Sequence, residues 1–382
     1  MRLLHVVGTR PNFVKMAPVI AALRAIDPGG RHVLVHTGQH YDRMMSDVFL
    51  EELGVPEPDH MLGVGSGSHA VQIGGVLEAI APILTAEEPD LVIVPGDVNS
   101  TLAAALACAH LQIPVAHVES GLRSRDRTMP EEVNRVLTDQ VAELLFTHSP
   151  EAAGNLAAEG IAGDRVHLVG NTMIDSLVAL EGRFRERRAR DRHGLEAGTY
   201  LLVTLHRPAL VDGPLLGTAI AALASVSESM PVLFPVHPRT RAALGEGAGG
   251  LPPGLRLIDP IGYLDFLSLE ADAGAVLTDS GGIQEETTYL GVPCFTLRAN
   301  TERPITIEHG TNHLLGLEPE RIVDVPDLVA AAPARTPEPP PLWDGHAAER
   351  LVDAVEAFLA ARPPGPAPAA TPAPQAADPR SG

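Results

Sequence analysis

The chain has 382 residues but only two cysteines, Cys108 and Cys294, and only one lysine, Lys15, among its 28 basic residues. Both cysteines sit in apolar surroundings and neither belongs to a Cys/His cluster of metal-ligand spacing. A disulfide framework and a zinc site are thereby excluded, and both are expected to be small core residues in a reduced cytoplasm. No apolar run reaches membrane-spanning length, and the start MRLLHVVGTRPNF has neither the apolar h-region nor the cleavage site of a secretory signal. The expectation is a cytoplasmic protein with no membrane partner. The net charge is −20, and no Lys/Arg block of the nucleic-acid-binding kind appears. The one basic cluster, RFRERRARDRHG (183–194), is interleaved with acids and reads as the solvated face of a helix, so no nucleic-acid partner is expected. With arginine used everywhere else, the lone Lys15 suggests a position that wants a compact, flexible ammonium rather than a planar fork; chance is the alternative.

What is present is a repeating pattern. LLHVVG, HVLVHTG, DLVIVPG, IPVAHVE, ELLFTHS and RVHLVG read as strands within residues 1–170, with amphipathic stretches between most of them. The series restarts with YLLVTLH, PVLFPVH, LRLIDP, AVLTDS and VPCFTLR. Continuous apolar strands alternating with helices indicate parallel sheets covered on both faces. The fold class is therefore α/β, with two doubly wound Rossmann-like domains and a cleft between them. The expected units are 1–170, 171–345, a C-terminal helix at 346–362 and a Pro/Ala-rich disordered tail at 363–382. GVGSGS (63–68) resembles a dinucleotide fingerprint, but it lacks the third glycine and follows no clear strand, so it reads as a loop.

Ligands of open parallel sheets bind beyond the carboxyl ends of the strands. Unusual polar residues collect at those ends: Thr9, Arg10 and Lys15 after the first strand, then Asp97, Glu119, His206, His237 and Ser280. Any one of them can be a cap or turn former, as Asp97 in GDVNST illustrates, but their coincidence across two domains points to a shared cleft. Glu131 has two readings. In TMPE, Thr128, Pro130 and Glu131 fit a helix-opening capping box, and a catalytic carboxylate fits equally well. Ser280-Gly281-Gly282 at a helix start offers backbone N–H groups and a positive dipole end to a phosphate. Glu286, one turn further, can accept two hydrogen bonds from ribose hydroxyls. Together they describe a nucleoside diphosphate site.

GTRPNFVKMAP, HTGQHYD, GDVNSTLA, HVESGLRS, MPEEVNR, GNTMID, TLHRP, FPVHPRT, LTDSGGIQEE and TERPITIEHGTN, in this order, resemble the non-hydrolysing UDP-N-acetylglucosamine 2-epimerases from residue 1 to about residue 360. The resemblance implies the GT-B arrangement of two Rossmann domains. It also implies conversion of UDP-GlcNAc to UDP-ManNAc for surface polysaccharide precursors, and a homodimer. Carried over motif by motif, Arg10, Lys15, Asp97, Glu119, Glu131 and His206 fall on active-site positions. Ser280, Gly281, Gly282 and Glu286 fall on the nucleotide site, Phe266 near the uracil, and Arg303 on a further substrate contact. QHYDR (39–43) and HRPALVD (206–212) depart from many bacterial members at positions that build an effector site for a second UDP-GlcNAc.

The chemistry suits these residues. The C2 hydrogen of an N-acetylhexosamine lies beside no carbonyl, so direct deprotonation is not open. Transient oxidation would need a nicotinamide fingerprint, which is missing. The other route breaks C1–O first: UDP leaves, the C2 proton becomes removable, a glycal forms, and UDP re-adds as a proton returns to the opposite face. Cations and N–H donors must hold the departing diphosphate, for which Arg10, Lys15, His206 and the 280–282 turn are suited. Carboxylates must move the proton, for which Asp97, Glu119 and Glu131 are suited. No cofactor and no metal ligand set is evident. The alternatives are a hydrolysing epimerase, an epimerase of a modified UDP-sugar, a GT-B glycosyltransferase and a non-catalytic nucleotide-sugar-binding subunit.

Overall fold

The computed structural model describes residues 1–38, 50–236, 238–244, 250–331 and 338–362. His237, QHYDR (39–43) and the 363–382 tail lie outside the described residues.

Thirteen strands form two sheets among the described residues. The first sheet contains β1 (Arg2–Val7), β2 (Arg31–His36), β3 (His60–Met61), β4 (Leu91–Pro95), β5 (Val115–Val118), β6 (Leu144–Thr147) and β7 (Val166–Leu168), in the order β3-β2-β1-β4-β5-β6-β7. The second contains β8 (Leu201–Thr204), β9 (Val232–Pro235), β10 (Leu255–Ile258), β11 (Ala275–Thr278), β12 (Cys294–Thr296) and β13 (Asn312–Leu314), in the order β10-β9-β8-β11-β12-β13. Every pairing is parallel.

Strand periodicity explains the layers. Along β1, Leu3 and Val7 join the core under the Arg10–Ile26 helix, while Leu4 and Val6 join the core on the opposite face of the sheet. In the second sheet, Leu201 and Val203 divide from Tyr200 and Leu202 in the same way. Cys108 and Cys294 are both fully buried, and burial pushes both thiols up to about 12.

Strand order reverses between β1 and β4 in the first sheet and between β8 and β11 in the second. Connections leave such a switch point in opposite directions and open a crevice beyond the strand ends. Arg10 follows β1, Asp97 follows β4, His206 follows β8 and Ser280 follows β11, so two residues from each sheet sit at a switch point.

The last helix, Ala347–Ala361, returns to the first sheet, where Ala348, Leu351, Val352 and Val355 enter the core beneath β1. The crossing is tied by polar contacts. Asp175 accepts from the N–H groups of Ala347 (3.1 Å) and Ala348 (2.6 Å), closing the helix start. Trp343, buried, donates its indole N–H to the carbonyl of His148 at 2.9 Å.

Three sequence expectations change. Strands β3 and β13 are two and three residues long, too short to show a period, and were not anticipated. GVGSGS is a loop, yet β3 does precede it and a helix, His69–Glu87, follows it. That helix is long and apolar enough to cross a membrane by length and composition, which corrects the expectation that no run reaches that length. Here it is the crossover from β3 to β4, with Val76, Ile80 and Leu84 buried and most of its other residues partly or fully exposed.

Candidate active site

On the first-domain side, Thr9 opens the Arg10–Ile26 helix; Asn12 accepts from the N–H groups of Gly8 (3.0 Å) and Thr9 (3.1 Å). The turn leaves Arg10 exposed at the helix start and carries Lys15 into the interior, where it pairs with Glu119. Glu119 follows β5 in a left-handed conformation, φ +68°, which is strained for a residue with a Cβ. Its other oxygen accepts from Arg303 at 2.7 Å, a bond that crosses from the second domain to the first. Burial pushes the Glu119 carboxyl up, but Lys15 and Arg303 outweigh it, and the group is held below the ordinary carboxylate range.

Arg303 is the hub of the cluster. Besides Glu119, its guanidinium meets Glu302 at 2.6 Å and Glu285 at 3.0 Å. Glu302 also binds Arg298 at 2.6 Å, and Glu285 lies 3.3 Å from His148. Burial opposes ionisation of Glu285, yet Arg303, His148 and Lys15 hold it down at about 2. Asp97, after β4, accepts from Arg135 at 2.7 and 2.9 Å, and Arg135 also holds Glu132 at 2.8 Å. All these acids and cations, except the partly exposed Asp97, are nearly inaccessible to solvent. Each acid has a cation, as buried charge requires.

The second-domain side is built differently. Asp279, at the end of β11, accepts from the backbone N–H groups of His206 (2.8 Å) and Arg207 (2.7 Å) and sits 2.9 Å from Nδ1 of His206. Its burial is outweighed by these donors, and its carboxyl stays below the ordinary range. His206 is thus oriented from behind while its ring stays exposed. Ser280 precedes the Gly281–Leu290 helix, and among the described residues no side chain caps it, so its first-turn N–H groups and dipole are available to an anion. A Cβ on Gly281 would lie 2.5 Å from Nη1 of Arg303, so only glycine lets that guanidinium press against the turn. Glu286 is buried and accepts from the Tyr263 hydroxyl at 2.7 Å; burial, with Glu285 nearby, pushes it up to about 7. Phe266, half-buried one turn after Tyr263 on the Tyr263–Ala271 helix, packs against the core around Leu269 and Val276.

The family model of the UDP-N-acetylglucosamine 2-epimerases matches residues 24–356. The chain belongs to this family. It is similar to the UDP-N-acetylglucosamine 2-epimerase of Methanococcus maripaludis, 40% identical over 92% of this chain and 97% of that protein. It is also similar to the UDP-2,3-diacetamido-2,3-dideoxy-D-glucuronate 2-epimerase of Pseudomonas aeruginosa, 40% identical over 85% of this chain and 91% of that one. Among solved structures, the Methanocaldococcus jannaschii UDP-GlcNAc 2-epimerase in complex with UDP-GlcNAc and UDP superposes with a TM-score of 0.86 at 39% identity, covering 94% of this chain and all of that one. The two Rossmann-like domains are the GT-B arrangement of this family.

In this family member the cleft brings together Lys15, Asp97, Glu119 and Arg303, with His206 and the Ser280–Gly282 turn on the facing side. The capping reading of Glu131 is corrected. The Pro130–Val141 helix starts at Met129 with no side-chain cap, and Thr128 donates to Asp126 instead. The tie falls to Glu132, which accepts from Ser124 and Arg125 N–H at 2.8 and 2.9 Å. Glu131 has no hydrogen bond among the described residues and lies within electrostatic reach of Arg207 across the cleft. Asp279, Glu302, Arg135, Arg207 and His148 were not singled out from sequence. Asp279, Glu302 and Arg207 each had a local signal, standing next to Ser280, Arg303 and His206, and His148 stands just beyond a strand end; Arg135 had none.

Proposed function

We propose that the enzyme interconverts UDP-GlcNAc and UDP-ManNAc by eliminating UDP and adding it back, without net hydrolysis. The observation that carries this reading is the placement of three carboxylates, Asp97, Glu119 and Glu131, on the first-domain strand and helix ends, opposite a second-domain anion cradle at Ser280–Gly282. UDP sits in the second unit, 171–345, with its diphosphate at the cradle, its ribose at Glu286 and its uracil near Phe266. C1–O breaks with both electrons going to the diphosphate, whose charge Arg10, His206 and the helix dipole receive. A carboxylate removes the C2 proton, giving the 2-acetamidoglycal. Re-addition of UDP to C1 and return of a proton on the opposite face of C2 complete the inversion. Lys15 and Arg303 hold Glu119 ionised and in place.

A second reading is favoured by one comparison: the Pseudomonas aeruginosa relative, as its name states, acts on a 2,3-diacetamido glucuronate. The same elimination serves that sugar, with different contacts at C3 and C6. We place the product in surface polysaccharide precursor synthesis in the cytoplasm and the protein in a homodimer. Sedimentation of the purified chain tests the homodimer.

The deciding experiment is proton NMR of UDP-GlcNAc with enzyme in D₂O. UDP-ManNAc with deuterium at C2 is the expected product. Free ManNAc with UDP would instead identify a hydrolysing enzyme, and an unreacted substrate that turns over as its 3-acetamido uronate analogue would establish the second reading.

A further inference from the structure

One buried histidine is not used by the chemistry above. His117 lies on β5, two residues before Glu119, and is wholly inaccessible to solvent. Its Nε2 is 2.7 Å from the carbonyl of Gly96, and its Nδ1 is 2.6 Å from Asp139. Burial pushes the Asp139 carboxyl up, but His117 and Arg123 outweigh it and keep it ionised. A carbonyl and a carboxylate only accept, so both ring nitrogens donate.

The two partners lead to the two turns that carry Asp97 and Glu119. Gly96 immediately precedes Asp97. Its N–H donates to the carbonyl of Val118 at 2.9 Å, so the N–H and the C=O of this one residue are both tied to β5. Gly96 adopts φ +65°, and a Cβ there would lie 3.1 Å from Nζ of Lys15 and 3.2 Å from Oε2 of Glu119. Its backbone is therefore a wall of the Lys15–Glu119 pair. Asp139, through its second oxygen, accepts from the N–H of Gly121 at 3.1 Å and meets Arg123 at 2.7 Å. With the bond from Ser120 N–H to the carbonyl of Phe146 at 3.0 Å, this holds the strained turn at Glu119.

We propose that His117 is a positioning residue that sets the spacing of Asp97 and Glu119 across the sugar, by holding the Gly96 carbonyl on one side and Asp139 on the other. The inference rests on reading those carboxylates as the proton-transfer groups. Only one of the two bonds reaches the Asp97 turn directly, and side-chain amides separate them. Glutamine places its amide nitrogen where Nε2 stands and keeps the donor to Gly96. Asparagine places it where Nδ1 stands, keeps Asp139 and strands the Gly96 carbonyl.

The test compares His117→Asn with His117→Gln in the full chain, measuring kcat and KM for epimerisation, Kd for UDP and Tm. His117→Asn should lower kcat about 100-fold, the cost of an ångström-scale misplacement, and His117→Gln by less than about 10-fold. Kd for UDP should stay at the wild-type value in both, because the nucleotide cradle belongs to the other sheet. Equal losses in the two variants, or a Kd that rises in step with the fall in kcat, would overturn the proposal. If His117→Asn does not fold, Asp139→Asn takes its place: it withdraws the charge that fixes the ring, kcat should fall about 10-fold at unchanged Kd, and an unchanged kcat overturns the idea. Asp97→Asn run alongside separates the two readings. Full turnover in that variant means the carboxylate assignment has failed; an inactive Asp97→Asn beside a fully active His117→Asn means only the positioning has failed.

Discussion

Glu119 and Glu286 are both buried carboxylates on opposite sides of the cleft, and their surroundings push them in opposite directions. Glu119 meets Lys15 and Arg303 and is held ionised. Glu286 meets a phenol, has the acids Glu285 and Glu270 as neighbours, and is pushed up to about 7. Burial alone raises a carboxyl on either side; the partners decide the sign. On the first-domain side Glu119 and Asp97 are paired with cations before any ligand arrives, so these two carboxylates are held in place. The second-domain side presents backbone N–H groups, a histidine oriented from behind and, among the described residues, two neighbouring acids without a cation, Glu286 and Glu270. That division suits a reaction in which one half moves a proton and the other receives a departing diphosphate.

The largest test of the division is Glu131. Its scaffold role has passed to Glu132, so Glu131→Gln should leave Tm unchanged while lowering turnover by roughly 10²–10⁴-fold, the usual weight of general acid–base catalysis. Turnover and thermal melts on the same preparation check this. A stable variant with near-normal turnover would leave the proton chemistry to Asp97 and Glu119 alone.

Charge pairing itself is tested at Arg303. Arg303→Met takes a cation from Glu119, Glu285 and Glu302 at once in a dry interior, and leaves Glu285 with His148 alone. Leaving a buried charge without its partner costs about 3–5 kcal/mol, so denaturant melts at neutral pH should show a loss of that order. Lowering the pH, which protonates these acids, should restore part of it. A loss below about 1 kcal/mol would mean the cluster relaxes into solvent and the two sides differ less than the geometry indicates.

These contrasts were only partly legible in sequence, and the reason is physical. Parallel strands buried on both faces are continuous apolar runs, so their ends stand out, and Arg10, Lys15, Asp97, Glu119, His206 and Ser280 are all found just beyond them. The partners are different. Glu119 and Arg303 are 184 positions apart, and Arg135 and Asp97 are 38 apart; no local pattern announces a compensating charge that only the folded chain brings near. The TMPE stretch misled for the converse reason: the local pattern of a cap was present, but Asp126 competed for Thr128 and won. The Glu286–Tyr263 contact, across two helices, was likewise out of reach.

The second-domain acid has a pH signature. Glu286 titrates near 7 in the folded protein against an ordinary 4.5. The folded state therefore binds more protons than the unfolded state between those values, and this group's contribution to stability is full below about 4.5 and falls as pH rises through about 7. The whole fall is roughly 3 kcal/mol. Glu286→Gln should abolish it, so the variant should gain on the wild type as pH rises from 5 to 8 in urea melts without nucleotide. A constant difference across that range would place Glu286 with the cation-paired acids.

The smallest effect asks what that unfavourable acid is for. If Glu286 accepts ribose hydroxyls, hydrogen bonds to a charged acceptor contribute about 1.5–3 kcal/mol, and Glu286→Gln should weaken UDP binding by up to that amount in calorimetric titration at pH 8. The same variant should be more stable than the wild type at pH 8, so affinity and stability should move in opposite directions. Opposite movement is the mark of a residue kept for a ligand at the expense of the fold. Tyr263 makes the argument sharper, because its hydroxyl already donates to one oxygen of Glu286. Tyr263→Phe frees that oxygen and keeps the carboxylate, and should shift UDP affinity by less than Glu286→Gln does. If Glu286→Gln instead binds UDP as the wild type does, the carboxylate serves Tyr263 and not the nucleotide, and the ribose must be held by other groups of the second domain.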